Sequence, residues 1–260
     1  TRQDPAKEQA IYELPLNERI RNIMRLECLF DQAAYFRQGS DAWDSRAAVT
    51  TLLELFDCFS RTDIKKELLQ EMERLNTALG RFMEIEGINR SRLENALGHL
   101  GELIHGVHGI NGQIGQNARQ HDMLSSIRQR AGVSGGLCSF DLPVYHHWSQ
   151  KSVEERQSDL DEWFGELDII AEAVHYVLGL IRDSVALTDQ SAENGFYQQS
   201  LDTSHPTQLV RVQLPPDSPV FAEISGGRHR FTVRFMSPNG SERPKQVDHS
   251  VDFKLACCSI

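Results

Sequence analysis

Residues 209–236 read Leu-Val-Arg-Val-Gln-Leu-Pro-Pro-Asp-Ser-Pro-Val-Phe-Ala-Glu-Ile-Ser-Gly-Gly-Arg-His-Arg-Phe-Thr-Val-Arg-Phe-Met. Three β-prone runs, Leu209 to Leu214, Val220 to Ile224 and Arg228 to Met236, are separated by Pro215-Pro216 and Ser225-Gly226-Gly227, residues that turn a chain. A fourth run, Val251 to Cys257, follows the turn signal Pro238-Asn239-Gly240. This spacing predicts a small antiparallel sheet within 191–260. Successive strand residues face opposite sides. Phe231, Val233 and Phe235 are therefore expected in the core, and Arg228, Arg230, Thr232 and Arg234 on the other face.

Upstream the apolar period changes to that of helices. Asn17 can cap a helix that turns Ile20, Ile23, Met24, Phe30 and Ala34 inward. Asp44 or Ser45 opens a second, with Val49, Leu52, Leu53, Phe56 and Phe59 inward. Ser60-Arg61-Thr62-Asp63 precedes a third, through Ile64, Leu68, Met72, Leu75, Leu79 and Phe82, which Gly87 ends. Ser91 with Glu94, and Ser152 with Glu155, have the spacing of capping boxes. The first leads into Leu93, Leu97, Leu100 and Ile104, the second into an apolar pattern from Leu160 to Ile181. Gly106 to Gly115 reads as a loop, followed by a short helix through Leu124 and Ile127. The expected fold class is α+β: an antiparallel helical bundle domain over 1–190, followed by a small antiparallel β-sheet domain over 191–260. The Gly135-Gly136 turn is expected to fold Leu137 to Leu142 back, so that 135–143 adds a strand to the sheet and sets His146 beside the arginine strip.

Composition narrows the function. No apolar run is long enough to span a bilayer, and Thr1 to Ala10 lacks the apolar core of a signal peptide, so a cytoplasmic, membrane-free protein is expected. A formal net charge of -10 over 260 residues opposes binding to nucleic acid over the whole surface. The five cysteines are odd in number and none forms a Cys-x-x-Cys pair, so buried reduced thiols are expected. Adjacent Cys257 and Cys258 point to opposite faces of a strand, which would strain a bridge between them.

Catalytic motifs are scarce. There is no phosphate-binding Gly-rich loop, nucleophile elbow or His-Glu-x-x-His. His99, His105, His108 and His121 match no standard metal spacing. Cys138 with His146-His147 lacks an orienting acid. The chain is expected not to be an enzyme, and no cofactor or metal is implied.

Arginines stand out instead. Arg228, Arg230 and Arg234 share a strand face, Arg21 and Arg25 are helical i, i+4 neighbours with Arg19 close by, and Arg61 precedes the third helix. Guanidinium forks receive carboxylates bidentately. Gathered by the fold, these groups would make a basic groove on an acidic protein, suited to docking an acidic peptide in a salt-sensitive way. An enzyme or binding protein for a small anionic metabolite in the same groove is the alternative. Nucleic-acid binding by the strip is disfavoured because Phe231 and Phe235 point away from it.

The chain resembles the ZapD family, the Z-ring-associated cell division proteins, over nearly its whole length. The marks are Pro-Leu-Asn-Glu at 15–18 with Arg21 and Arg25, Leu-Leu-Glu-Leu-Phe at 52–56 leading to Arg61, Ile-Arg-Gln-Arg at 127–130, Gly-Gly-Leu-Cys-Ser-Phe-Asp-Leu-Pro at 135–143 and Leu-Ile-Arg at 180–182. Asn-Gly-Phe-Tyr-Gln at 194–198, Ile-Ser-Gly at 224–226, Arg-Phe-Thr-Val-Arg-Phe-Met at 230–236 and Asp-Phe-Lys-Leu-Ala-Cys-Cys at 252–258 continue the series. The resemblance implies a symmetric homodimer, acting at the division site, that binds the C-terminal tail of FtsZ in a basic pocket and cross-links its protofilaments. By the same resemblance the pocket residues are Arg21, Arg61, His146, Arg230 and Arg234, joined by Arg25 and Arg119. Met123 stands where some relatives carry a further Arg.

Overall fold

The computed structural model describes residues 9–85, 87 and 89–260. They form two compact units. One comprises Asn22–Val177; the other comprises Leu178–Ile260 and the described residues up to Arg21.

Nine helices are described: α1 (Glu18–Arg37), α2 (Ala42–Arg61), α3 (Ile64–Arg81), α4 (Arg90–Gly109), α5 (Gln116–Gln120), α6 (Asp122–Arg130), α7 (Pro143–Ser149), α8 (Val153–Gly165) and α9 (Asp168–Asp183). In the helical unit α3 packs on α4 and α2 on α8. Asn17 Oδ1 accepts from Ile20 N, as the sequence implies, and Ser152 with Glu155 forms a complete capping box. Other caps differ. Asp41, not Asp44 or Ser45, caps α2, with Asp44 closing the box. Asn89 rather than Ser91 caps α4 through Arg92 N. On α1 the buried stripe is Ile20, Ile23, Leu26, Phe30 and Ala33, which leaves Ala34 exposed and Met24 half-buried.

The expected loop at Gly106 begins later, because α4 runs on to Gly109. Buried Leu103 and Val107 continue the apolar face of α4 past Gly106, where a Cβ would lie 2.9 Å from Ile169 Cδ1. The expected strand at Leu137 to Leu142 is overturned as well. Residues 134–141 form successive tight turns, with Cys138 N on Gly135 O and Leu142 N on Cys138 O. Gly135 is left-handed at φ +73°, and a Cβ on Gly136 would meet Arg130 O at 2.7 Å, so this pair keeps the chain coiled. Pro143 then opens α7.

Buried Arg156 fastens α8 without a carboxylate. It donates to Ser45 Oγ, Lys151 O and Ser40 O. Of the thiols expected to be buried, only Cys258 is; Cys58 and Cys257 are half-buried, Cys28 and Cys138 are exposed, and all five are free. Cys28 lies off the apolar stripe of α1. Burial pushes the Cys257 thiol up to about 11.

The other unit holds eight described strands: β1 (Ala10–Pro15), β2 (Thr188–Ala192), β3 (Phe196–Ser200), β4 (Leu209–Leu214), β5 (Phe221–Gly226), β6 (Arg230–Asn239), β7 (Glu242–Gln246) and β8 (Val251–Cys258). Pairing is antiparallel, in the orders β1-β4-β8-β2 and β3-β6-β5, with β7 also on β6. Phe231, Val233 and Phe235 are buried as expected, against Val212, Phe253 and Leu255. Burying each such side chain contributes roughly 1.5–3 kcal/mol. The N-terminal strand β1, which the sequence reading grouped with the helices, pairs with β4. Asn194 and Gly195, both at positive φ, make a tight turn that hands the chain from one sheet to the other.

One ion cluster fastens β1. Glu13, with its side chain 13 % exposed, accepts from Arg182 Nε and Nη2 and from Arg211 Nε at 2.7–3.0 Å. Arg211 also donates to Arg182 O. Replacing Glu13 by Gln strips two half-buried guanidiniums of their shared charge partner. Urea unfolding of Glu13→Gln is expected to show a loss of about 3 kcal/mol; an unchanged midpoint would mean that the cluster adds nothing to stability.

Candidate functional site

In the helical unit, Arg25, Arg61 and Arg119 converge on the C-terminal end of α2. Arg119 projects from the five-residue helix α5 and donates from Nε to Ile114 O at 3.0 Å, from Nη1 to Ser60 Oγ at 3.1 Å and from Nη2 to Phe56 O at 2.8 Å. Its guanidinium lies 4.5 Å from the centroid of the Phe56 ring. The carbonyl end of a helix carries partial negative charge, so it receives a cation well. Burial first, then repulsion from Arg128, holds the Arg119 pKa below the usual arginine value, with Asp57 opposing.

Glycine makes this geometry possible. Gly115 caps α5 at φ +69°, and a Cβ there would sit 2.6 Å from Phe56 Cε1. Any side chain at this position would displace the ring that Arg119 covers.

Arg61 is exposed, and Arg25 acts in the same neighbourhood. Both bear on the half-buried Cys58 thiol, whose pKa is raised chiefly by burial while Arg61 and then Arg25 pull it down. A thiol so raised is a poor nucleophile. Among the described residues neither Arg25 nor Arg61 forms an ion pair; Arg25 makes only a long bond, 3.4 Å, to Asn22 Oδ1. Beside them opens a cleft of about 420 Å³ lined by Ser60, Arg61, Asp63, Lys65, Gly112 and Arg119, among others. Asp63, the one carboxylate of the lining, is occupied in capping α3 through Lys66 N.

Sequence reasoning missed Lys65 and Arg128. Lys65 Nζ donates to Ile110 O and His108 O. Arg128 faces Asp57 at 2.8 Å, and so reaches the site already paired. Arg128 was visible in the Ile-Arg-Gln-Arg string, but nothing in its spacing tied it to α2.

His146 is exposed on α7 and lines a different cavity, with Trp43, Arg46 and Phe140. It is not part of the Arg61 cleft lining.

In the β unit, Arg230 and Arg234 project from the outward face of β6, and among the described residues neither forms an ion pair. Arg234 stands between Phe196 on β3 and Glu223 on β5. Cross-strand partners share a face, so Phe196, 39 % exposed, is on the same face of the sheet as Arg234. Phe231 and Phe235 do point away from this face, but Phe196, which the sequence reading did not consider, lies on it. Arg228 is exposed in the bend just before β6. Arg21 is partly engaged, with Nε 3.2 Å from Glu18 Oε1 and Nη2 on Pro15 O.

One cluster of catalytic residue types, in the turn at 202–205, does not have the geometry of a relay. Ser204, His205 and Asp202 touch one another, but both Ser204 Oγ and Asp202 Oδ2 meet the same ring atom, His205 Nδ1. A relay needs the acid on one ring nitrogen and the hydroxyl on the other. The cluster is an exposed turn, in which bonds from Ser204 first, then His205, bring Asp202 down to about 2. Among the described residues no three His, Cys, Asp or Glu groups gather as metal ligands. His99 instead meets Glu172 and the Tyr176 ring, and His121 packs on Trp163. No helix among the described residues is long and apolar enough to cross a membrane.

The sequence profile of the family described as ZapD, cell division protein, matches residues 24–234. A relative from Methylococcus capsulatus, named cell division protein ZapD, is 43 % identical over 254 residues, covering 98 % of this chain and 100 % of its own length. A profile match over most of the chain, together with a full-length relative of this identity, places the protein in the ZapD family of cell division proteins.

Proposed function

We propose that this chain is a cytoplasmic division-ring factor that binds the C-terminal tail of FtsZ and, as a symmetric homodimer, cross-links FtsZ protofilaments at midcell. The observation that carries this reading is the cluster at the end of α2. Arg25 and Arg61 are not ion-paired among the described residues, Arg119 is bound only through neutral oxygens, and the chain around them has a formal net charge of -10. Unneutralised guanidiniums attract carboxylates, and an acidic tail supplies several on one flexible strand. Arg230 and Arg234 offer the same chemistry on the β unit, with Phe196 alongside as an apolar contact. Arg21 and His146 complete the proposed set. Binding needs neither membrane nor nucleic acid.

The magnitudes suit a reversible cross-link. An exposed ion pair contributes roughly 0–1 kcal/mol. Several such pairs and an apolar anchor reach about -8 kcal/mol, near micromolar affinity. A dimer engaging a polymer at many points converts this into avidity, while single contacts still exchange.

Co-sedimentation with FtsZ filaments tests the reading directly. Wild-type protein is expected to pellet with full-length FtsZ and to stay in the supernatant with FtsZ lacking its tail. Equal pelleting with both would remove the tail from the account. Arg61→Glu is expected to weaken tail binding by about tenfold or more without lowering thermal stability, since Arg61 is exposed and unpaired. Arg230→Ala with Arg234→Ala is expected to abolish co-sedimentation with the β unit still folded; unchanged pelleting would take β6 out of the binding surface. Affinity should fall as salt rises, with a shallower dependence in Arg61→Glu than in wild type.

A further inference from the structure

A second surface of the helical unit joins aromatic rings to positive charge. Trp43, in the first turn of α2, is 70 % exposed, and Phe140, in the turns before α7, is 81 % exposed. They border a cavity of about 440 Å³, floored by buried Tyr145 and edged by Arg46 and His146. Arg46 lies 5.1 Å from the centroid of the Trp43 ring, and among the described residues it has no ion pair. Among the described residues no aspartate or glutamate lines the cavity, although the chain carries 37 of them. Tyr145, raised to about 12 chiefly by burial, stays a neutral phenol.

Large exposed aromatics cost solubility and usually mark a contact surface. Here they are held out by construction. The Gly135-Gly136 turns present Phe140, and the Asp41 cap fixes the first turn of α2 that carries Trp43. The lining tells which occupant fits: apolar walls accept an apolar side chain, and a guanidinium with an imidazole and no carboxylate accept negative charge beside it.

We propose that this cavity is a second peptide subsite, taking an apolar side chain flanked by carboxylates from the same acidic tail that the Arg61 cleft receives. The inference rests on the tail-binding reading and adds to it a specificity element: Trp43 and Phe140 read the apolar residue and Arg46 the carboxylate beside it, whereas Arg25, Arg61 and Arg119 read charge alone. Ring contacts give discrimination that salt does not erase.

Intrinsic fluorescence reports on the subsite, because Trp148 and Trp163 are buried and Trp43 is the exposed tryptophan. Titration with a synthetic peptide of the FtsZ tail is expected to shift Trp43 emission to the blue. Trp43→Phe removes that shift. Trp43→Ala with Phe140→Ala should weaken the peptide by about tenfold while its salt dependence stays as in wild type. Arg46→Glu, which keeps both rings, should weaken it as well. A tail peptide with its apolar residues replaced by serine should bind the wild type and the double variant equally weakly.

Undiminished binding by the double variant, with Arg61→Glu still defective, overturns the subsite and leaves the tail reading standing. Absence of wild-type binding to the peptide overturns both. A double variant that binds peptide normally but elutes as a monomer where the wild type is a dimer also overturns the subsite, and assigns the surface to contact between two copies.

Discussion

Glu13 is the constraint on which the β unit turns. Its carboxylate is shared by Arg182 and Arg211, residues 169 and 198 positions away in sequence. In the β1–β4 register Glu13 lies directly opposite Arg211. A slip of one residue would carry Glu13 to the opposite face and away from both guanidiniums. The cluster therefore selects the register as well as stabilising it. Asn17 Nδ2, two residues beyond β1, then bonds Gln208 Oε1 just before β4, so the start of α1 and the position of Arg21 follow from the same pairing.

At α2 the helical unit solves a different electrostatic problem. Beside the last turns of α2, Arg119 makes three bonds from a single side chain, to Phe56 O and Ser60 Oγ of that helix and to Ile114 O outside it. Those bonds orient the guanidinium but do not neutralise it, because every acceptor is uncharged. Charge is thereby retained at the surface in a fixed place. Arg128 shows the contrast: its bond is to a carboxylate, Asp57, so its charge is already matched locally.

Much of this was legible in the sequence. The runs that became β4, β5, β6 and β8 announced themselves by alternation and by proline and glycine breaks, and the outward arginines of β6 followed from strand geometry alone. Asn194-Gly195 is a two-residue turn signal and could have revealed β2 and β3, but β2 (Thr-Asp-Gln-Ser-Ala) is polar and carries no alternation of its own. The helical run through Gly106 was hidden because the burial of Val107, just past His105 and Gly106, is a tertiary matter. The turns at 134–141 were misread because a Gly-Gly pair signals a reversal without saying that the chain keeps turning. Arg119 was found only through family likeness. Its place depends on a left-handed glycine and a ring contributed 63 residues earlier, which no local pattern encodes.

The Asn194-Gly195 turn bears on how the protein ages. An asparagine followed by glycine is the dipeptide most prone to spontaneous cyclisation and loss of its amide, because the next backbone nitrogen can attack the side-chain carbonyl. Here that nitrogen, Gly195 N, is committed to His249 O at 3.0 Å, and Asn194 O receives Gln246 Nε2. Ring closure would have to break this tether, so the crossing between sheets shields its own weakest covalent bond.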